Sequence, residues 1–248
     1  MRLTGKTAIV TGGASGFGAG IVRKFTSEGA RVMIADLNQQ GAQDLCDQMG
    51  DHALACAVDV SEGASVNAMA QTALDTWGHV DILVNNAGVT HLPTALEEVS
   101  EKDFDRVLAV NAKSVYLTAR AFVPHMKTRK AGAILNIAST AGVSPRPRLN
   151  WYNASKGWMI TATKAMAVEL APEGIRVNAL NPVAGETPLL KSFMGEDTPE
   201  MRAKFLATIP LGRFSTPQDM GNAACFLCSD EASMITGVAM EVDGGRCI

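Results

Sequence analysis

The chain has 248 residues, with 22 Lys and Arg against 25 Asp and Glu, for a formal net charge of −3. That length suits one α/β domain with ample material for a core, and 47% apolar against 19% charged residues excludes a disordered or fibrous chain. Mild acidity without a Lys/Arg run argues against a nucleic-acid surface or an anionic membrane patch, and no apolar stretch approaches the roughly 20 residues of a bilayer span. The start, Met1 to Lys6, lacks the apolar segment and cleavage site of a signal peptide, so a soluble, cytoplasmic protein is expected. In chain order the pattern predicts a strand at 7–11, a helix at 21–28, a strand at 31–35, a helix at 39–49 and a strand at 53–58. A helix at 64–77, a strand at 81–84, a long helix at 104–127 and a strand at 133–137 follow. A helix at 151–171, a strand at 175–180, a helix at 217–229 and a strand at 238–242 complete the series. Such alternation implies right-handed βαβ units, a parallel sheet and helices on both of its faces. No linker or repeat divides the chain, so residues 1–248 read as a single domain. The connections 88–100, 138–150 and 181–199 are long, and each leaves the carboxyl edge of the sheet, where open α/β sheets bind ligands.

Cys46, Cys56, Cys225, Cys228 and Cys247 are too few and too scattered for a disulfide framework. Cys225 and Cys228 have the spacing of a redox or metal pair, but no second pair completes a zinc site, and their surroundings read as the apolar face of a helix. His52, His79, His91 and His125 show no ligand spacing, and no metal site is expected.

Between the first strand and the first helix lie Gly12, Gly13, Ser15, Gly16, Phe17 and Gly18. A glycine-rich strand-to-helix turn lets the backbone approach a pyrophosphate, which then sits against helix N–H groups. The spacing is Gly-x3-Gly-x-Gly rather than the commoner Gly-x-Gly-x2-Gly. The second strand runs into Asp36, where a carboxylate would accept hydrogen bonds from a ribose; the plainer alternative is a cap for the next helix. Neither Leu37 nor the turn residues Ser15 and Phe17 offer a cation for a ribose 2′-phosphate, so NAD is expected over NADP. Tyr152 and Lys156 stand four apart, on one face of a predicted helix. A free phenol titrates near pH 10, and an adjacent ammonium would favour its anion, as acid–base work near neutrality requires. Such pairs are also common on solvated faces. Ser139, at a strand end, could donate to a carbonyl oxygen or simply cap a turn.

Together with Asp59 and Val60, the segment Asn85 to Gly88, Asn111, Asn181 and Pro182, these motifs occur in an order and spacing that resembles the short-chain dehydrogenase/reductase family over almost the whole chain. The resemblance implies a single-domain Rossmann fold with a doubly wound, seven-stranded parallel sheet. It implies a tetrad of Asn111, Ser139, Tyr152 and Lys156: Tyr152 as acid/base, Ser139 polarising the substrate, Lys156 lowering the Tyr pKa and binding the nicotinamide ribose, and Asn111 holding a proton-relaying water. It also places Asp59 and Val60 along the adenine, Asn86, Ala87 and Gly88 near the cofactor, and Pro182, Val183 and Thr187 near the nicotinamide. Without the resemblance, Asp59 reads as a cap before Ser61, Asn86 as a turn residue, and Asn111 as a solvent-facing helix residue. The family usually carries glycine where this chain has Val183, and Val avoids positive φ, so a different local path is expected there.

The implied activity is NAD-dependent hydride transfer between a secondary alcohol and a ketone, on a small molecule such as a polyol, sugar or hydroxy acid. Alternatives are a 3-oxoacyl-carrier-protein reductase, for which Arg120, Lys127, Arg129 and Lys130 would be a basic docking end or, more plainly, a solvated helix terminus, and an inactive NAD-binding sensor or scaffold. Arg146 and Arg148 enter the loop that feeds Tyr152; one would meet an anionic substrate group, or both face solvent or another subunit. By resemblance the chain forms a homotetramer through 104–127, 151–171, the last strand and the C-terminus, with Val115, Leu117, Trp158, Met159 and Met166 as candidate surface, some of which must face the sheet.

Overall fold

The computed structural model describes residues 1–248. Seven parallel strands form one sheet: β1 (Thr7–Thr11), β2 (Arg31–Asp36), β3 (Ala53–Ala57), β4 (Ile82–Asn85), β5 (Gly132–Ile137), β6 (Ile175–Pro182) and β7 (Ala239–Val242). Their spatial order is β3-β2-β1-β4-β5-β6-β7. The chain winds outward from β1 in one direction and then from β4 in the other. The connections therefore diverge between the carboxyl ends of β1 and β4, which opens a crevice at that edge. The central strands are apolar on both faces because both are covered. Ala8, Val10, Val32, Ile34, Val84 and Leu135 point one way, against α1 (Gly16–Ser27), α2 (Gln39–Met49) and α9 (Pro217–Cys228). Ile9, Met33, Leu83, Ile134 and Val177 point the other way, against α3 (Gly63–Trp77), α5 (Ser114–Arg129) and α6 (Asn150–Leu170). Cys225 and Cys228 are buried in the first of these layers, as the apolar-face reading expects, and burial pushes the Cys228 thiol up to about 12. No helix is long and apolar enough to cross a membrane.

Three departures from the sequence pattern bear on the site. Helix α1 starts at Gly16, five residues before the predicted start, because glycines of poor helix propensity form its first turns. The predicted helix 104–127 divides into α4 (Glu101–Leu108), one wide π turn at Ala109–Lys113 and α5. Asn111 lies in the π turn, a local widening that is frequent at functional sites. The expected connection 181–199 holds α7 (Leu190–Met194), and α8 (Pro199–Leu206) follows it directly. A start signal for α8 was present: the Thr198 hydroxyl accepts from the Met201 N–H at 3.2 Å, and Pro199 occupies the first turn.

Candidate active site

The glycine-rich turn is held from below by β4. Asn86 Nδ2 donates to the carbonyls of Thr11 and Gly12 at 2.8 and 2.9 Å, while Thr11 Oγ1 accepts from the N–H groups of Asn86 and Ala87. Asn86 is thus the strut of the turn. Gly12 sits at φ +61°, and a Cβ on it would lie 2.9 Å from Ala87 Cα. Above the turn, Ser15 makes no side-chain cap and the first turn of α1 carries no acidic residue. Its N–H groups and positive helix end are left for an anion, which fits a pyrophosphate.

Gly12, Ser15, Gly16 and Phe17 line the cleft, but Gly18 does not. It packs beneath the turn, where a Cβ would run into the Gly12 carbonyl and stand 2.6 Å from Asn86 Nδ2. Gly18→Ala is expected to cost about 1–3 kcal/mol, because backbone rather than a side chain must move. Thermal unfolding reads this as a lower Tm, and cofactor titration as weaker binding.

At the far end, Asp36 accepts through both oxygens: from the Ala14 N–H at 3.0 Å and from the Asn38 N–H at 2.9 Å. Helix α2 is capped by Asn38, which accepts from the Gly41 N–H, so Asp36 is not the helix cap. It lines the cleft together with an exposed Leu37. Asp59 and Val60 also line it, although the Asp59 carboxylate is engaged by the N–H and hydroxyl of Ser61 in the turn that the plainer reading expects.

The tetrad residues converge at the other end. Asn111 is fully buried rather than solvent-facing. Its Oδ1 accepts from the Val89 N–H at 2.9 Å, and its Nδ2 donates to the Val89 carbonyl at 2.9 Å and to Ser155 Oγ at 3.0 Å. It stands behind the cleft and ties the β4 loop to α6. Ser139 does cap a short turn, accepting from the Ala141 N–H at 3.0 Å, yet it also lines the cleft. Tyr152 and Lys156 line it too and are only 7% and 4% exposed. Lys156 Nζ donates to the Ile137 carbonyl at 2.8 Å and lies 5.9 Å from the Tyr152 ring centre. Gly88 gives this ammonium room: a Cβ there would stand 3.4 Å from Nζ.

Burial dominates the electrostatics. It pushes the Tyr152 phenol up to about 12, against the Ser139 hydroxyl and the Arg146 charge, which both pull it down. It also brings the Lys156 ammonium down to about 8. A folded pKa below that of the unfolded chain means the buried charge destabilises the fold fully below about pH 8 and ceases to do so by about 10.5. Relative to Lys156→Met, the native protein should therefore gain stability as pH rises through that window. Denaturant unfolding of both proteins on either side of it measures the change.

Beyond Ser139 the cleft runs along Pro182, Val183 and Thr187. Lys130 and Arg148 are the non-glycine residues at positive φ, so Val183 keeps an ordinary backbone and no strained path arises. Its side chain is buried with Leu190, Met194, Ile209 and Phe214, which seats α7 at the cleft. The Gly16 backbone approaches Thr187, a Cβ on that glycine lying 3.2 Å from the threonine Cβ. The cleft encloses about 360 Å³. Sequence reasoning did not anticipate its outer wall of Leu149, Phe193 and Phe205, because two of these come from α7 and α8. Phe193 packs against Tyr152 with ring centres 5.1 Å apart.

A family model described as Enoyl-(Acyl carrier protein) reductase matches residues 12–246. The chain is 50% identical to 4-formylbenzenesulfonate dehydrogenase of Comamonas testosteroni, over the full length of both. It is 36% identical to a 2,5-dichloro-2,5-cyclohexadiene-1,4-diol dehydrogenase of Sphingobium indicum, covering 98% of this chain and 97% of the relative. Among solved structures it is similar to a 3-ketoacyl-(acyl-carrier-protein) reductase from Brucella melitensis complexed with NADH: 52% identity, TM-score 0.94, and coverage of 99% and 100% of the two chains.

Proposed function

The chain belongs to the short-chain dehydrogenase/reductase family, and from that premise we propose that it is an NAD-dependent oxidoreductase that interconverts a secondary alcohol and a ketone on a small molecule. The observation that carries this reading is the convergence of Ser139, Tyr152 and Lys156 at one end of a cleft whose other end is the glycine turn and Asp36. The cleft fits a dinucleotide, and the Brucella melitensis neighbour was solved with NADH. When bound, the nicotinamide supplies the hydride acceptor or donor. The chain's own groups manage the proton. Ser139 donates a hydrogen bond to the substrate oxygen, and Tyr152 takes or gives the proton at that oxygen. Lys156, cationic at neutral pH, stabilises the phenolate and holds the ribose. Asn111 fixes the loop and helix around them and holds the water that relays the proton. Absorbance of NADH during incubation with NAD⁺ and a panel of secondary alcohols tests this reading. Tight NAD binding with no turnover across the panel would favour a sensor.

The relatives' names share dehydrogenase or reductase chemistry but differ in the group they act on, a formyl group in one, a diol in another and a 3-ketoacyl group in the third. They support an oxidoreductase, while the alcohol/ketone pair rests on the site. A carrier-protein reductase is the second reading, supported by the name of the Brucella melitensis structure. Its basic docking end is weakened here: Arg129 pairs with Asp81 at 2.9 Å, and Lys127 lies 3.9 Å from Glu169. Activity on small ketones without a carrier-linked thioester separates the two.

A homotetramer is part of the proposal. Of the expected surface residues, Val115 and Met159 instead pack toward the sheet, and Leu117 and Met166 lie against the second core layer. Trp158, 44% exposed, is left on the outer surface, as is Tyr116 on α5. Light scattering at micromolar concentration should give four chains, and Trp158→Asp should lower that number; a native monomer overturns the proposal.

A further inference from the structure

Resting on the alcohol/carbonyl chemistry proposed at Tyr152, we infer that the outer end of the cleft is an anion-recognition site, in which Arg146 binds a carboxylate or sulfonate carried on a flat apolar substrate. Arg146 and Arg148 behave differently. Arg148 is exposed, whereas Arg146 turns inward, lines the cleft and lays its guanidinium 4.3 Å over the Phe205 ring. Its carbonyl accepts from Asn153 Nδ2 at 2.7 Å, in the first turn of the helix that carries Tyr152. That bond fixes the base of the Arg146 side chain relative to Tyr152.

No carboxylate answers this charge. Arg146 enters none of the ion pairs of the fold, and its Nη2 is buried without a partner. A second guanidinium, that of Arg246, approaches from the C-terminal segment and adds to the positive field. Its Nη1 donates to Ser144 Oγ at 3.2 Å, and its Nε is also buried without a partner. The acid nearest in sequence, Asp243, is used by the N–H groups of Gly245 and Cys247. Burial and the Arg246 charge both lower the Arg146 pKa, the sign of a cation that lacks a counter-ion. On the cleft wall, Arg146 with its free buried donor suits an oxyanion, whose two oxygens can accept a pair of parallel N–H bonds from one guanidinium. The Arg246 charge adds to the field without lining the cleft. Leu149, Phe193 and Phe205 supply apolar walls in the same cleft, Phe193 against the Tyr152 ring and Phe205 under the Arg146 guanidinium. These walls fit a ring or another flat body, with the reacting carbon at one end and the anion at the other. Arg146 would then set substrate choice while Tyr152 handles the proton.

The test uses the full-length protein loaded with NADH and isothermal calorimetry with three probes: benzenesulfonate, benzoate and the uncharged benzenesulfonamide. At least one anion should bind roughly tenfold or more tightly than the sulfonamide, the size of a charge-assisted pair, and the two anion arms tell sulfonate from carboxylate preference. Arg146→Gln should abolish the difference, and Arg146→Lys, a point charge without the fork, should restore part of it. Equal affinity for anions and sulfonamide in the native protein, or a preference that survives Arg146→Gln, overturns the inference. The native comparison decides even if a variant fails to fold. Arg146-dependent anion binding without oxidation of any secondary alcohol would bring down the proposed reaction and leave the anion site standing. Alcohol oxidation without anion preference would do the reverse.

Discussion

Tyr152→Phe should lower kcat by 10²–10⁴-fold, the usual range for loss of a general acid or base, while cofactor affinity stays close to native. The substitution removes one oxygen from a ring that is already packed against Phe193, so volume and edge contacts persist. What disappears is the group proposed to carry the proton. The neighbours cannot replace it: the Ser139 hydroxyl is far less acidic than a phenol, and Lys156 Nζ is directed at the Ile137 carbonyl. Even with the Ser139 hydroxyl and the Arg146 charge pulling it down, burial holds the Tyr152 phenol at about 12, too high to act as a base near neutrality. A neighbouring positive charge must therefore lower it in the working complex, and Lys156 is charged below about pH 8 to provide one. Alcohol oxidation should rise with pH as the phenol ionises, and this limb should vanish in Tyr152→Phe. Steady-state kcat and a pH profile for both proteins measure the effect. Retention of more than about a tenth of native kcat assigns the proton to another group.

The sheet was legible because its strands are short, apolar and separated by helical periodicity, and every predicted strand from 7–11 to 238–242 overlaps one in the structure. The glycine turn and Asp36 were legible because their chemistry is local to one βαβ unit. The tetrad was not legible from periodicity: Asn111 comes from the π turn, Ser139 from the end of β5, and Tyr152 and Lys156 from α6, and only the motif resemblance joined the three places. Asn111 shows the limit clearly. Its environment depends on a π turn that a regular helical period does not reveal, and its partners Val89 and Ser155 lie 22 and 44 residues away. The substrate wall was also hidden, since α7 has five residues and too little length for a periodic signal. Arg146 and Arg148 look alike in sequence. Only packing separates the one that stacks on Phe205 from the one that faces solvent.

Discrimination between NAD and NADP should rest on Asp36, with NAD preferred in kcat/KM by roughly a hundredfold or more. Each Asp36 oxygen accepts one backbone N–H, from Ala14 and from Asn38. A carboxylate oxygen has two acceptor positions, so each keeps one for a ribose hydroxyl. A 2′-phosphate would instead bring like charge against a carboxylate held in place by two hydrogen bonds. No cation stands near to relieve it. Leu37 is exposed and apolar, Ser15 and Phe17 are uncharged, and Arg31, at the opposite end of β2, stacks on Trp77 at 5.8 Å. The choice of variant matters. Asp36→Asn would point its amide hydrogens at one of the two backbone donors whichever way it turned, and so would disturb the turn as well as the charge. Asp36→Ala removes charge and both acceptors without adding a donor, and its thermal unfolding reports how much the turn loses. The expected result is a large fall in kcat/KM with NAD, a small rise or no change with NADP, and a ratio that approaches unity. Equal use of both cofactors by the native protein, or a preference for NAD that Asp36→Ala leaves intact, would sink the ribose assignment and reduce Asp36 to an anchor between the glycine turn and the start of α2.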